Sequence, residues 1–84
     1  MDLKEAFKKA TDQVHSLDKR PSNDQLLQMY GLFKQATEGD VQGDRPGGFD
    51  FKGIAKYDSW ASLRGMTKEE AMQAYIDLVN PLFD

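Results

Sequence analysis

Two lysine-bearing segments contain the residue types in this chain that could do chemistry. Tyr30 and Lys34 lie four residues apart with Phe33 beside them, and Lys52 and Lys56 repeat the spacing of four in a second segment. Residues four apart share a face of a helix. A lysine ammonium offers three donors to a phosphate, and a tyrosine adds a hydroxyl and an aromatic face for a purine. The combination suits a phosphorylated ligand that also has an apolar part.

The same pattern has a plainer interpretation, which the spacing alone favours. The lysines would then only keep exposed helix faces in solution, while Tyr30 and Phe33 would belong to the core. We expect Trp60 to be a structural residue, packed between helices.

Length and composition restrict the classes of function open to the chain. Its 84 residues suffice for one domain, 1–84, with a thin core. Cysteine is absent, which excludes disulfides and thiolate metal sites. A net charge of −3 disfavours nucleic acid as a partner, because such binding depends on many lysine and arginine contacts to phosphates. The charged N-terminus and the lack of ~20 consecutive apolar residues predict a cytoplasmic protein without stable membrane insertion.

No set of residues has the spacing of a catalytic or metal-binding motif. The single histidine, His15, has no serine or acid partner at a motif spacing, and the chain has no glycine-rich phosphate loop. The sequence therefore predicts no catalytic residue, no metal and no cofactor.

Apolar periodicity predicts four helices that would position these residues. Helix 1 should run from about Asp2 to Ser16, because apolar residues recur at spacings of four and three from Leu3 to Leu17. Helix 2 should begin near Asn23 and end at a Gly39 C-cap. Helix 3 should cover about Phe51 to Arg64, and helix 4 should follow Thr67 and reach about Leu82, with its last turn loosened by Pro81.

Capping boxes mark the starts of helices 2 and 4. Ser22 precedes Gln25 by three residues, and Thr67 precedes Glu70 by three. The stretch from Asp40 to Asp50 reads as a loop, since it is rich in glycine and proline, and we expect Val41 and Phe49 to be tucked into the protein.

Loop lengths limit how the helices can be arranged. The linker of about ten residues between helices 2 and 3 can span about 33 Å, longer than helix 2 itself at about 24 Å, so the two helices can run parallel. This arithmetic permits an up-down-down-up bundle without requiring it.

The two lysine-bearing segments resemble the signature of the acyl-CoA-binding protein family. The first reads Tyr30-Gly31-Leu32-Phe33-Lys34-Gln35-Ala36-Thr37-Glu38-Gly39-Asp40, against Tyr-x-x-Tyr/Phe-Lys-Gln-Ala-Thr-x-Gly-Asp in the family. The second contains Arg45-Pro46-Gly47 and, from Asp50 to Trp60, the family pattern Asp-x-x-x-x-Ala-Lys-Trp/Tyr-x-Ala/Ser-Trp. The likeness extends from about Phe7 to Leu78. It implies an all-α, four-helix up-down-down-up bundle.

The resemblance also implies a ligand and a set of ligand-binding residues. The coenzyme A site of the family lies at the positions of Tyr30, Phe33, Lys34, Lys52, Lys56 and Tyr75. An acyl chain further needs an apolar groove. Its expected walls are Leu26, Leu27, Met29 and Ile54 with part of the face of helix 1, and we predict that Leu27 and Met29 contact the ligand. His15 stands where the family often has a lysine, and it is either a phosphate contact or an exposed residue without ligand contact.

The resemblance implies a carrier that does no catalysis. It would bind medium- to long-chain acyl-CoA thioesters, hold them as an intracellular pool and deliver them, as a monomer, to enzymes that use acyl-CoA. Two alternatives stay open: a helical protein-interaction module that uses the same groove, and the acyl-CoA-presenting domain of a larger enzyme.

Overall fold

Four α-helices make up the regular structure in the computed structural model, which describes residues 2–83. They are α1 (Leu3–Gln13), α2 (Asn23–Glu38), α3 (Phe51–Ala61) and α4 (Lys68–Val79). Short 3₁₀ turns follow the first and last of these at Val14–Ser16 and Asn80–Phe83. No strand occurs among the described residues. The all-α prediction is confirmed.

Side-chain caps explain where the helices begin. In both predicted capping boxes the cap hydroxyl accepts from the N3 backbone, and the N3 side chain accepts from the cap backbone: Ser22 with Gln25, and Thr67 with Glu70. The hydrogen bonds that the Glu70 carboxylate accepts at Thr67 lower the pKa of Glu70. The sequence therefore placed the starts of α2 and α4 correctly, because capping is local chemistry.

The ends of the helices are less regular than predicted. Gly39 is the C-cap of α2 as expected, with φ at 82°. Helices α1 and α3 end at Gln13 and Ala61, each three residues before the predicted end, and the remaining residues form tighter turns. Helix α4 ends at Val79, also three residues before the predicted end at Leu82, and the chain passes into a 3₁₀ turn around Pro81, since proline has no N–H to donate.

Contacts between the helices give the direction of each. Lys56 of α3 lies over Tyr30 of α2, and one turn further along both helices Lys34 of α2 lies over Trp60 of α3. Because these contacts advance in the same direction along both helices, α2 and α3 run parallel. Helices α2 and α4 run antiparallel. Gln35, near the end of α2, contacts Met66 just before α4. Gln28 and Leu32, earlier in α2, share a groove with Asp77 and Leu78 near the end of α4. The bundle is up-down-down-up, as predicted.

The core lies between α1, α2 and α4. Its buried residues are Phe7, Ala10, Met29, Ala36, Ala71, Tyr75 and Val79. The rings of Phe7 and Tyr75 meet edge to face with their centroids 5.2 Å apart, an arrangement that aromatic quadrupoles favour.

One buried amide joins the end of α2 to the turn before α4. The Gln35 side chain is fully buried, and its Nε2 donates to Asp40 Oδ1 at 2.8 Å and to the Met66 carbonyl at 2.7 Å. The Asp40 carboxylate also accepts from the Gly65 N–H at 2.8 Å. Both hydrogen bonds lower the pKa of Asp40, and the one from Gly65 has the larger effect. The Asp40 carboxylate thus connects Gln35 at the end of α2 to Gly65 in the turn before α4.

The linker between α2 and α3 is held by side chains from α3. Arg45 makes a two-point pair with Asp58 at 2.8 and 2.9 Å, which shows that this arginine braces the linker. Trp60 is buried, as expected, and its Nε1 donates to the Gly39 carbonyl at 2.8 Å. The prediction that Phe49 is tucked in is wrong, because its side chain is 91% exposed.

Candidate ligand-binding cleft

A cleft between α2 and α3 brings several of the predicted site residues together. Its volume is about 420 Å³, and it extends from the loop before α2 to the middle of both helices. The residues that line it are Arg20, Asn23, Leu26, Leu27, Tyr30, Phe51, Lys52, Ala55 and Lys56. Of the predicted ligand-binding residues, Leu27, Tyr30, Lys52 and Lys56 therefore share one cavity.

The cleft is locally cationic although the chain carries a net charge of −3. Arg20, Lys52 and Lys56 are among the residues that line it, and none of the lining residues is acidic. At contact distance, local charge outweighs the net charge of the protein, because water and salt screen the more distant carboxylates. Leu26 and Leu27 line the same cavity. One cavity thus offers cations for phosphates and an apolar wall for a hydrocarbon chain.

Lys56 and Tyr30 face each other across the cleft. The Lys56 Nζ lies 5.4 Å from the centroid of the Tyr30 ring, within the range of a cation–π contact. The Lys56 side chain is exposed, so its charge is free to meet an anion from solvent. An anion that enters the cleft would meet this ammonium beside an aromatic ring.

Lys34 lies one helical turn beyond Tyr30 and is already engaged. Its Nζ is 4.8 Å from the centroid of the Trp60 ring and forms an ion pair with Glu38 on the same helix. Lys34 is partly buried and Glu38 is exposed, and an ion pair at the surface contributes little stability. Lys34 does not line the cleft itself, and it reaches a ligand only where that ligand extends along the helices toward Trp60.

The width of the cleft is set by a close approach of α2 and α3. Gly31 is buried against Ser59, and the Ser59 hydroxyl donates to the Leu27 carbonyl at 2.6 Å. A Cβ at position 31 would lie 2.6 Å from Ser59 Oγ, closer than real contacts allow. Glycine inside a helix costs about 1 kcal/mol relative to alanine, and this contact explains its presence.

A second groove of about 440 Å³ lies where α2, α3 and α4 meet. Its lining residues are Gln28, Leu32, Ser59, Ser62, Leu63, Ala74, Asp77 and Leu78. Asp77 is the one charged residue among them, so the groove would repel an anion. Between the two cavities, charge selects the cationic cleft for a phosphorylated ligand.

Known proteins resemble this chain over most of its length. The sequence profile of the family described as "Acyl CoA binding protein" matches residues 4–79. The chain belongs to the acyl-CoA-binding protein family. An acyl-CoA-binding protein of Gossypium hirsutum is 46% identical over 84 residues, which cover 100% of this chain and 94% of that protein. Acyl-CoA-binding protein homolog 1 of Caenorhabditis elegans is 47% identical over 77 residues, covering 92% and 90%.

Solved structures of the family share the bundle. The crystal structure of acyl-CoA-binding protein 2 from Oryza sativa superposes with a TM-score of 0.91 at 41% identity, covering 98% of this chain and 91% of that one. The crystal structure of the protein from Moniliophthora perniciosa gives a TM-score of 0.88 at 44% identity, covering 98% and 80%. At these identities the likeness extends to sequence as well as fold.

The remaining predicted ligand-binding residues lie outside the cleft. Phe33 is 40% exposed and stacks on Phe7, with ring centroids 6.0 Å apart. Met29 and Tyr75 are buried in the core, and burial raises the pKa of the Tyr75 hydroxyl. His15 is exposed in the 3₁₀ turn after α1. Their contact with a ligand stays a prediction.

Sequence reasoning missed four residues that line the cleft: Arg20, Asn23, Phe51 and Ala55. Phe51 and Ala55 are four apart on α3, and each directly precedes one lysine of the predicted pair Lys52 and Lys56. Helical spacing could therefore have found them. Arg20 precedes α2 and donates to Asn23 Oδ1 at 3.2 Å. No spacing rule predicted that this loop would close one end of the cavity.

Clusters of metal ligands and membrane-spanning helices are absent from the described part of the chain. Within residues 2–83 no group of three or more histidines, aspartates or glutamates is placed to hold a metal ion. None of the helices in that range combines the length and apolar character needed to cross a bilayer.

Proposed function

We propose that this protein binds medium- to long-chain acyl-CoA thioesters, one per chain, and serves as their carrier and pool former without catalysing a reaction. The observation that carries the proposal is the cleft between α2 and α3, where Arg20, Lys52 and Lys56 line the same cavity as Leu26 and Leu27 and no lining residue is acidic. Family membership supports the same ligand class.

The two kinds of wall correspond to the two ends of such a ligand. The nucleotide phosphates would meet the lysines, with charge-assisted hydrogen bonds of about 1.5–3 kcal/mol each, and the base would lie on Tyr30. The acyl chain would follow the leucines, where each buried methylene contributes about 0.8 kcal/mol. Association itself costs about 4–15 kcal/mol, so neither end alone gives tight binding. The protein should select the intact thioester.

Titration calorimetry with palmitoyl-CoA, free coenzyme A and free palmitate tests this proposal. Palmitoyl-CoA should bind by far the most tightly of the three. Palmitate binding as tight as palmitoyl-CoA would contradict the role of the cations, and coenzyme A binding as tight would contradict the role of the leucines. Native mass spectrometry of the protein as purified should reveal a co-purifying acyl-CoA.

The proposal includes a setting for this activity. The chain would act as a single domain, 1–84, and as a cytoplasmic monomer that hands its ligand to enzymes using acyl-CoA. Analytical ultracentrifugation with and without ligand tests the monomer, and a stable dimer in either state would contradict it.

A further inference from the structure

Arg20 closes one end of the cleft between α2 and α3. It precedes α2 and donates to Asn23 Oδ1 at 3.2 Å, and both residues line the cavity. The ion pairs found within residues 2–83 do not include Arg20. A guanidinium has five N–H donors, so most of the hydrogen-bonding capacity of this arginine is left for another acceptor.

A second cation marks the other end of the cleft. Lys56 lies over Tyr30, with its Nζ 5.4 Å from the ring centroid. Asn23 and Tyr30 are both on α2, about two helical turns or ~10 Å apart at a rise of ~1.5 Å per residue. Leu26 and Leu27 lie between them and line the same cavity. An apolar stretch of α2 therefore separates the two ends.

This order of residues bears on the far end of an acyl chain. Under the proposed function the phosphates meet the lysines and the chain follows the leucines, so its last carbon lies toward Arg20 and Asn23. A methyl group forms no hydrogen bond there, whereas a carboxylate fits a guanidinium with two parallel hydrogen bonds. The nearest acidic residues in sequence, Asp18 and Asp24, are exposed and do not line the cleft. An anionic chain end would therefore be attracted.

We propose that the ligands of this protein include acyl-CoA thioesters whose acyl chain ends in a carboxylate, and that Arg20 binds this carboxylate while Lys56 stays with the phosphates. The inference rests on the proposed function and adds a preference at the far end of the same cleft. Arg20 is then a specificity-determining residue, because it offsets the cost of bringing a charged group to the end of an apolar stretch.

Titration calorimetry with three thioesters of equal chain length tests the proposal. Dodecanoyl-CoA ends in a methyl group, the CoA monothioester of dodecanedioic acid in a carboxylate, and ω-aminododecanoyl-CoA in an ammonium. Arg20→Gln removes the charge, and Arg20→Lys keeps the charge without the planar fork. Lys19→Gln is the matched control, because Lys19 is an exposed cation next to Arg20 that does not line the cleft.

Arg20→Gln should lower the affinity for the carboxylate-ended thioester roughly five times more than the affinity for the methyl-ended one, the effect of one charged pair near the surface. For the ammonium-ended thioester the sign should reverse, because the substitution removes a repulsion. Arg20→Lys should lie between the native chain and Arg20→Gln. Lys19→Gln should change the ratio of the carboxylate and methyl affinities by less than about twofold. Circular dichroism checks that each variant is folded.

Chain length provides a second measurement of the same contact. In a series of dicarboxylic monothioesters from octanedioyl-CoA to hexadecanedioyl-CoA, the loss caused by Arg20→Gln should be greatest at one length, because a shorter chain leaves its carboxylate away from the guanidinium. An equal loss at every length would indicate diffuse attraction by the cationic cleft and would overturn the inference.

Two further results would overturn it. One is an equal loss of the methyl-ended and carboxylate-ended ligands on Arg20→Gln. The other is rejection of the carboxylate-ended ligand by the native chain, about a hundredfold or more relative to dodecanoyl-CoA, which would show that the far end binds only apolar groups. In each case tight binding of dodecanoyl-CoA would leave the proposed function standing. If the native chain binds none of the thioesters, the proposed function fails and this inference fails with it.

Discussion

Gly31 of α2 faces Ser59 of α3 so closely that no side chain fits between them. A Cβ on Gly31 would lie 2.6 Å from the Ser59 Oγ and 2.9 Å from the Ser59 carbonyl oxygen. The same serine donates to the Leu27 carbonyl at 2.6 Å. One glycine and one hydroxyl therefore fix the spacing of the two helices that form the cleft.

The substitution Gly31→Ala should separate α2 from α3. Because the Ser59 backbone cannot give way as a flexible side chain would, overpacking should lower the free energy of unfolding by about 1–3 kcal/mol, despite the better helix propensity of alanine. Urea unfolding measures the loss, and titration calorimetry should show weaker ligand binding by the folded protein.

The control for this substitution is Gly47→Ala in the linker. Gly47 has open space around the position of a Cβ, and its φ is not positive. Stability should change by less than about 0.5 kcal/mol. Equal effects at the two glycines would show that the close approach of the helices is unimportant.

Lys34→Ala and Lys56→Ala should each weaken acyl-CoA binding by about 1.5–3 kcal/mol, because each removes a charge-assisted contact. Both should leave the free energy of unfolding within about 1 kcal/mol of the native value, since a surface ion pair such as Lys34 with Glu38 and a cation–π contact of a partly exposed lysine each contribute little. Calorimetry and urea unfolding measure the two quantities.

Lys4→Ala serves as the control, because Lys4 is an exposed lysine on α1 outside the cleft. It should bind ligand like the native chain. If Lys34→Ala unfolded the domain while the folded fraction bound normally, Lys34 would be a structural residue.

Trp60→Ala should destabilise the protein strongly. The indole is buried, and its Nε1 donates to the Gly39 carbonyl at the end of α2. Truncating a buried aromatic residue costs about 3–5 kcal/mol. Trp60→Phe keeps a ring but loses the donor, so its loss should be smaller, which urea unfolding can resolve. Equal losses would mean that the hydrogen bond, not the packing, dominates.

Protonation of Asp40 should contribute to the loss of stability in acid. Its pKa in the folded protein lies below the ordinary value of 3.8, chiefly because of the hydrogen bond from Gly65. A carboxylate with a lowered folded pKa stabilises the protein above its unfolded pKa, and this contribution is lost as pH falls from 3.8 through the lowered value. Asp40→Asn should therefore flatten the decline of Tm with acidification.

The matched control for Asp40 is Asp44→Asn, a change at an exposed carboxylate in the same loop. It should keep the native dependence of Tm on pH. An unchanged profile for Asp40→Asn would show that its hydrogen bonds with Gly65 and Gln35 persist in the unfolded chain or contribute nothing.

His15 offers a test of phosphate contact by a residue outside the cleft. If His15 meets the ligand phosphates, His15→Lys should bind acyl-CoA more tightly than His15→Gln, because lysine supplies a permanent cation at that position and glutamine supplies none. Calorimetry of the two variants beside the native chain measures the difference. Equal affinities would exclude the contact.

The sequence by itself determined the features that depend on neighbours along the chain. Both capping boxes and the Gly39 C-cap involve residues within a few positions of each other, so their chemistry is legible without the fold. The pairing of Lys52 with Lys56 on one helix face follows from helical spacing in the same way. The bundle topology needed the family resemblance, because the linker arithmetic only permitted it.

Only the tertiary structure decided which distant residues meet. It brought Arg20 to the cleft, paired Lys34 with Trp60, and placed Ser59 against Gly31. It also left Phe49 exposed where apolar character predicted burial. Such contacts depend on how helices pack and where a loop crosses them, and spacing along one helix carries no information about a partner on another.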